Sequence, residues 1–284
     1  MGTVLQKNDH IRKEAIRNTN RFLLNCLLAN ICFVIFFIGY MPGGYCQDTV
    51  ANNITAIEKS ILFNKDNFYY IDFKGYYTGP PSDLPIGVFD SGTGGLTVLN
   101  AIVNYDQYNN STHVKEKDKA PDFKHEKFIY LADQANMPYG NYYSENKTDL
   151  LVENVIKDAQ FLLSDKYYQT QKDSSYSIGK EHVKAIVIAC NTATAYAKKQ
   201  LEDFIRLTGL QMKIIGVIDA GAKGTLAHFG VNENGSIGVL ATVGTIASKG
   251  YEEKLKAMRK SLHLKGKISI FNQGGYGIAE AVDN

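Results

Sequence analysis

The stretch KAIVIACNTATAYAKK, residues 184–199, runs from an apolar segment into a helical pattern through a single cysteine. Residues 185–189 are continuously apolar and Cys190 ends the run, which is typical of a short strand buried on both faces of a sheet. Asn191 and Thr192 follow at once, and both are residue types that cap helices. The pattern therefore predicts a strand, a tight turn and a helix, with a thiol at the turn.

The same alternation of short apolar strands and helical stretches continues on both sides of this unit, from Pro85 onward. The predicted strands are residues 86–90, 127–133, 185–190, 213–219, 236–242 and 267–273. Such an alternation is typical of the α/β class, in which a parallel sheet carries helices on both faces. Ligands of these sheets bind outside the carboxyl ends of the strands, so we expect the functional site there.

The composition favours a small-molecule site and excludes a strongly basic surface for nucleic acid. Lys and Arg number 31 and Asp and Glu number 29, so the charges nearly balance. Three cysteines, Cys26, Cys32 and Cys46, lie in the first 46 residues, and Cys190 is the one cysteine in the remaining sequence. Residues 47–284 therefore hold neither a disulfide framework nor a CxxC metal motif, and no metal site is predicted. Cys190 is either a buried small side chain or a nucleophile or base.

The first 84 residues precede the alternation and have a different character. Basic residues flank an apolar run at 22–41, which only Asn25 and Asn30 interrupt. This arrangement is typical of a secretory signal or an uncleaved anchor, and the run is close to the ~20 residues that span a bilayer. We expect residues 1–46 to export the chain or to anchor it on the periplasmic side of a membrane, rather than leave it cytoplasmic. Residues 47–84 are expected to form a linker or arm.

Polar groups gather at the predicted strand ends. A helix N-terminus favours negative charge and lowers the pKa of a thiol, so Cys190 is expected to ionise near neutral pH. The same N-termini, together with Ser91, Asn191 and Thr192, suit the carboxylates of a ligand. Asp90 is placed to hold an ammonium group or to orient the thiol. These parts suit proton abstraction next to a carboxylate, although helix capping alone also explains each residue.

Five motifs in this region resemble those of the glutamate racemases, within the aspartate/glutamate racemase superfamily. They are, in order, IGVFDSGTGGLTVL, YLADQANMPYGN, IVIACNTATA, IGVIDAGA and IGVLATVGTIASKGYE. The resemblance implies two similar α/β domains that face each other across the active site, here residues 85–210 and an incomplete second domain at 211–284. It also implies interconversion of L- and D-glutamate without a cofactor, linked to the supply of D-glutamate for peptidoglycan. One thiolate removes the α-proton, and a thiol on the opposite face returns one.

Matched motif by motif, the resemblance implies a role for each of nine residues. Cys190 corresponds to the first catalytic cysteine, and Asp90 is assigned to the catalytic pair with it. The implied substrate contacts are Ser91, Tyr139, Gly140, Asn191, Thr192, Thr242 and Thr245. The implied partner is a small acidic amino acid. The sequence also leaves open membrane association through residues 22–41 and assembly as a homodimer.

The sequence departs from the family pattern downstream of these motifs. The family's second catalytic cysteine lies in a Gly-Cys-Thr-His motif, and no cysteine follows Cys190 here. Because the sequence closes on QGGYGIAEAVDN, where a further strand–helix unit begins, we expect either a fragment of a longer racemase-like protein or a short relative with one thiol. Two alternative functions stay open. One is an exported, catalytically silent relative that binds an amino acid, and the other is a one-cysteine isomerase or decarboxylase of the same superfamily.

Overall fold

The computed structural model describes residues 54–278 and residue 281 of the chain. The predicted export or anchor segment, residues 1–46 with its apolar run at 22–41, lies outside the described residues. Within the part that is described, none of the helices combines the length and the apolar character needed to cross a bilayer.

Strands and helices alternate through the described residues. The strands are β1 (Ile86–Asp90), β2 (Phe128–Ala132), β3 (Ala185–Ile188), β4 (Lys213–Gly216), β5 (Gly235–Thr242) and β6 (Ile268–Gly275). The helices are α1 (Ala56–Phe63), α2 (Gly95–Val103), α3 (Thr148–Leu163), α4 (Asn191–Thr208), α5 (Val217–Leu226), α6 (Val243–Ala247) and α7 (Gly250–Ser261). The predicted helix that opens after Cys190 is confirmed as α4.

Four of the strands form a parallel sheet in the order β2-β1-β3-β4. Successive side chains of a strand face opposite sides of a sheet. Phe89 and Ile188 pack into the core formed with α1, α3 and α4, whereas Val88 and Val187 pack against α2. This sheet with helices on both faces confirms the predicted α/β class. The continuous apolar runs arise because both sides of each central strand are covered.

The other two strands, β5 and β6, pair in parallel as a separate sheet. Ile237 and Val239 turn toward α5 and α7 and form a second core with Ala222, Leu226 and Leu255. The predicted strand at 213–219 is shorter than expected, because α5 begins at Val217. An apolar run such as IIGVI does not by itself distinguish a buried strand from a buried helix. β4 falls inside the predicted segment 211–284 but pairs with β3, while the domain boundary itself stays a prediction.

The described part of residues 47–84 is not a loose linker, in contrast to the prediction. α1 begins with a capping box in which Thr55 and Glu58 bond to each other's backbone amides. Ile61 of this helix is fully buried in the core of the first sheet. The buried Tyr76 hydroxyl donates to the carbonyl oxygen of Val183 at 2.9 Å. The segment is polar in overall composition, but it contains a few apolar side chains at helical spacing. These side chains pack into the core and hold the segment in place.

Candidate active site

The carboxyl ends of β1, β3 and β5 surround one cavity of about 440 Å³. All nine residues predicted from the sequence border it, namely Asp90, Ser91, Tyr139, Gly140, Cys190, Asn191, Thr192, Thr242 and Thr245. The strand register explains part of this gathering, since Phe89 pairs with Ile188 and the residues that follow each strand therefore emerge side by side. The structure brings the predicted set together, and the role of each residue stays a prediction.

Cys190 is the N-cap residue of α4 and is 7% exposed. Its Sγ accepts a hydrogen bond from the backbone N–H of Ala193 at 3.4 Å, and the Oγ of Ser91 lies 3.5 Å away. Burial, and then the charge of Asp90, raise the pKa of the Cys190 thiol to about 11, against the lowering effect of these hydrogen bonds. The sequence predicted ionisation near neutral pH from the helix N-terminus alone. Desolvation outweighs that effect here, so the thiol is neutral at pH 7.

The Asp90 carboxylate closes the turn that follows β1. Its Oδ1 accepts from the backbone N–H of Ser91 at 2.9 Å, and its Oδ2 accepts from that of Gly95 at 2.7 Å. Gly95 packs so closely that an added Cβ would lie 2.6 Å from the Asp90 Cβ and 2.9 Å from the Ala189 Cβ. The glycine-rich turn therefore serves close packing between β1, β3 and α2, and it holds a buried negative charge beside the thiol.

Three threonine hydroxyls that border the cavity form a hydrogen-bonded chain. The Oγ1 atoms of Thr192 and Thr245 lie 3.0 Å apart, and the Thr242 hydroxyl donates to the Thr245 Oγ1 at 3.0 Å. Thr242 also caps α6 by accepting from the backbone N–H of Thr245. These bonds join the start of α4 to the end of β5, which explains why two motifs far apart in the sequence lie together.

The turn at residues 138–140 forms another wall of the cavity. Gly140 packs against Thr242, whose side-chain atoms would lie 3.2–3.4 Å from a Cβ added there. Tyr139 borders the cavity but is 1% exposed, and its hydroxyl bonds to the carboxyls of Asp133 and Asp158 rather than facing the open space. Burial and these two carboxyls raise the pKa of the Tyr139 hydroxyl. We therefore expect Tyr139 to act through the position of its turn.

Comparisons with known proteins find that the chain is similar to one family of enzymes. No protein-family model matches the chain. The glutamate racemase of Sulfurihydrogenibium sp. (strain YO3AOP1) is 34% identical over 181 residues, which cover 64% of this chain and 53% of that protein. The glutamate racemase of Lactobacillus johnsonii is 36% identical over 172 residues, 61% of this chain and 48% of that protein. The chain is a relative of the glutamate racemases.

This racemase relative spans about half the length of the curated relatives that it matches. Among solved structures, the glutamate racemase isoform RacE1 from Bacillus anthracis has a TM-score of 0.49 and 28% identity, with 72% of this chain and 57% of that chain covered. The Aquifex pyrophilus glutamate racemase has a TM-score of 0.43 and 28% identity, with 66% and 55% covered.

Tyr251 is a cavity residue of this racemase relative that the sequence analysis did not single out. Its hydroxyl donates to the Oδ1 of Asn191 at 2.7 Å, and it borders the same cavity. With its oxygen held by Tyr251, the Asn191 side chain keeps its amide nitrogen as a donor for a ligand. Tyr251 lies in the quoted motif IGVLATVGTIASKGYE, and this position is the signal by which the sequence could have identified it. Among the described residues, no group of three or more His, Cys, Asp or Glu side chains is suited to hold a metal ion.

Proposed function

We propose that this racemase relative acts on glutamate by proton transfer at the α-carbon, with Cys190 as the acid–base group. The observation that carries the proposal is the position of the Cys190 sulfur, at the start of α4 and within 3.5 Å of Ser91, on a cavity rich in amide and hydroxyl donors. The names of the curated relatives support glutamate as the substrate.

The cavity suits the three charged groups of an acidic amino acid. Backbone amides at the start of α4, with the side chains of Asn191 and Thr192, are donors for carboxylates. Asp90 supplies a negative charge for the α-ammonium group. We propose that the Cys190 thiolate takes the α-proton, and that the electron pair left on the α-carbon is delocalised into the carboxylate that these donors hold.

Substrate binding is proposed to ionise the thiol. The pKa of Cys190 is about 11 without a ligand, because of burial and of Asp90. An ammonium group beside Asp90 offsets the repulsion between the Asp90 carboxylate and the Cys190 thiolate, and it therefore favours the thiolate. Lowering the pKa of the thiol from about 11 to 7 requires about 5 kcal/mol, at 1.36 kcal/mol per pKa unit. A buried pair of opposite charges can supply this free energy.

Inversion requires an acid on the opposite face of the α-carbon. Cys190 is the one cysteine among the described residues that border the cavity, so exchange of the α-hydrogen from one face is the step that its thiol supplies. The raised pKa of Cys190, about 11, keeps the free thiol neutral at pH 7 and favours a second candidate, a relative that binds glutamate and does no chemistry. The two candidates differ in one measurable property, the exchange of the α-proton with solvent.

The test is proton NMR of the full chain with L-glutamate, and separately D-glutamate, in deuterated water. Loss of the α-proton signal is expected with the wild-type chain and not with Cys190→Ala, while the matched variant Cys46→Ala keeps the wild-type rate. Appearance of the other enantiomer would mean that a second acid is present. Glutamate binding in calorimetry without Cys190-dependent exchange would replace the catalytic proposal with the binding one.

We also propose that residues 1–46 export or anchor the chain, on the strength of the basic flank and the apolar run at 22–41. A D-glutamate product would then arise at the membrane or beyond it, where peptidoglycan lies. Cell fractionation of the full chain and of a variant lacking residues 22–41 tests this proposal. Recovery of the full chain wholly in the soluble cytoplasmic fraction would contradict it. Assembly as a homodimer stays a prediction that sedimentation can test.

A further inference from the structure

A buried cluster of Asp133, Tyr139 and Asp158 lies behind the cavity wall. The Tyr139 hydroxyl oxygen is 2.5 Å from the Oδ2 of Asp133 and 2.9 Å from the Oδ2 of Asp158. Asp158, on α3, is 7% exposed. Asn136 donates from its amide nitrogen to both oxygens of Asp133, at 2.9 and 3.0 Å. One hydroxyl thus lies between two carboxyl groups.

These distances require more than one proton. A tyrosine hydroxyl has a single hydrogen, so it donates to one of the two carboxyls and accepts from the other. The two bonds are satisfied when Tyr139 donates to Asp133 and a protonated Asp158 donates to Tyr139. Burial first, and the charge of Asp133 second, raise the pKa of Asp158 to about 8, while the Tyr139 bond opposes the shift. Asp158 is therefore mainly neutral at pH 7.

Other charged groups near Asp158 have partners of their own. The elements packed against α3 are α1, α4 and β2. Glu58 of α1 bonds to Thr55 and Gln200, and Tyr130 of β2 donates to the carbonyl oxygen of Gly92. The charged residues of α4 pair with one another or with Asp219; they are Lys198, Lys199, Glu202, Asp203 and Arg206. Asp133 and Tyr139 are the titratable groups that act on Asp158.

The cluster is connected to the cavity through the turn at residues 138–140. Gly140 follows Tyr139 directly and packs against Thr242, the capping residue of α6. On the same side, a Cβ added at Gly244 would lie 2.9 Å from the carbonyl oxygen of Gly140. Close packing therefore leaves the turn at residues 138–140 no space to shift toward α6. The hydrogen bonds of the Tyr139 hydroxyl hold the same turn from its other side.

We propose that Asp158 is a positioning residue, whose neutral carboxyl donates to the Tyr139 hydroxyl and holds the Tyr139–Gly140 wall of the cavity against Thr242. When Asp158 loses its proton, two carboxylates compete for one hydroxyl hydrogen and repel each other, and the wall is released. The effect on catalysis rests on the proposed function, whereas the effect on stability does not.

The experiment compares the full-length wild type with Asp158→Asn, Asp158→Ala and the control Asp149→Asn, an exposed position on the same helix. The asparagine amide can donate to Tyr139 and does not ionise. The ratio of α-proton exchange rates, Asp158→Asn over wild type, is expected to rise as pH increases through 8. Asp158→Ala removes one hydrogen bond and is therefore expected to raise KM by about tenfold, with a smaller change in kcat. Asp158→Asn keeps a donor to Tyr139 and is expected to restore most of the wild-type KM.

Thermal unfolding gives a second readout that does not need catalysis. Because the folded chain holds the Asp158 proton that the unfolded chain loses near pH 4, the contribution of Asp158 to wild-type stability falls as pH rises toward 8. The Tm of Asp158→Asn minus that of wild type is therefore expected to increase between pH 5 and pH 8 and to level off above. A flat difference would overturn the proposal, whatever the exchange assay shows. Absence of exchange in the wild type, with the Tm trend present, would overturn the proposed function alone. If Asp158→Asn does not fold, Asp133→Asn removes the second cause of the raised pKa of Asp158, so its pH-dependent fall in Tm must end at a lower pH than in the wild type. An unchanged end point would overturn the proposal.

Discussion

Replacing Asp90 with asparagine is expected to make the Cys190 thiol more reactive and the site less active. The pKa of Cys190 is raised from 9.0 to about 11, by burial first and the charge of Asp90 second. That net shift corresponds to about 3 kcal/mol at 1.36 kcal/mol per unit. Burial is the larger cause, so removing the charge is expected to lower the pKa of the thiol by about one unit, a tenfold gain in thiolate at pH 8.

The structure also predicts a cost in stability and in exchange. An asparagine at position 90 can still accept from the Ser91 N–H, but one of its two terminal atoms is now a donor. It therefore loses one of the two backbone bonds that the carboxylate makes to Ser91 and Gly95, at about 1 kcal/mol. If Asp90 holds the substrate ammonium, α-proton exchange falls by about a hundredfold, the lower end of what acid–base groups contribute. Opposite changes in thiol reactivity and exchange rate distinguish this role from a general loss of folding.

The assay is the rate of iodoacetamide alkylation between pH 7 and pH 11, read by mass spectrometry of the peptide that holds Cys190. That peptide separates it from Cys26, Cys32 and Cys46, and Asp149→Asn serves as the control with an exposed carboxyl. A wild-type thiol that titrates near pH 7 would refute the argument, since the helix N-terminus would then outweigh burial. An upward shift of the pKa in Asp90→Asn would refute the assigned sign of the Asp90 effect.

Three further substitutions test the walls of the cavity. Tyr251→Phe removes the bond to the Asn191 oxygen and is expected to raise KM for glutamate about threefold to tenfold, measured by exchange kinetics. Gly140→Ala places a Cβ 3.2 Å from the Thr242 side chain and is expected to cost about 1–2 kcal/mol in chemical denaturation. Thr245→Val removes the central hydroxyl of the threonine chain and is expected to cost about 1–3 kcal/mol in the same assay.

Matched controls exist for each of these changes. Tyr276 is 91% exposed, so Tyr276→Phe should leave KM unchanged. An added Cβ at Gly238 meets no atom within 4 Å, which makes Gly238→Ala the control for Gly140→Ala. The Thr225 hydroxyl donates to the Gly221 carbonyl of its own helix, so Thr225→Val is expected to cost little. Equal effects in a variant and its control would contradict the corresponding prediction.

The sequence predicted the layers of the fold and the gathering of the nine residues, because both depend on local pattern. An apolar run that ends in Cys190-Asn191-Thr192 specifies a strand end, and parallel strands bring their ends to one edge. The ionisation of Cys190 does not follow from local pattern. Whether the helix N-terminus or burial dominates the pKa of Cys190 depends on how completely water is excluded from the sulfur and on the charge of Asp90 nearby. Both depend on tertiary packing.

Asp158 illustrates a second limit of sequence analysis. In the sequence it is one acidic residue in a helix that also contains Asp149, Glu153 and Lys157, and nothing distinguishes a buried aspartate from a solvated one. Its burial depends on the rotation of α3 against the first sheet, and its partner Tyr139 arrives from a turn 19 residues earlier. α1 is a different case, because Ile57 and Ile61 have the i, i+4 spacing of a packed helix and were available as a signal.

The two raised pKa values together constrain how the site can work. Efficient exchange needs Cys190 ionised and the cavity wall held by a neutral Asp158, yet the pKa values of these groups are about 11 and about 8. Between these values only about one free molecule in a thousand has both groups in the required state. The profile of kcat/KM, which reports the free protein, should therefore rise to pH 8 and then stay level. If glutamate ionises the thiol on binding, the profile of kcat should instead be level near neutrality and change only slightly around pH 8, because Asp158 acts mainly on KM. Identical profiles would mean that the ammonium group does not activate Cys190, and that the thiolate forms without the substrate.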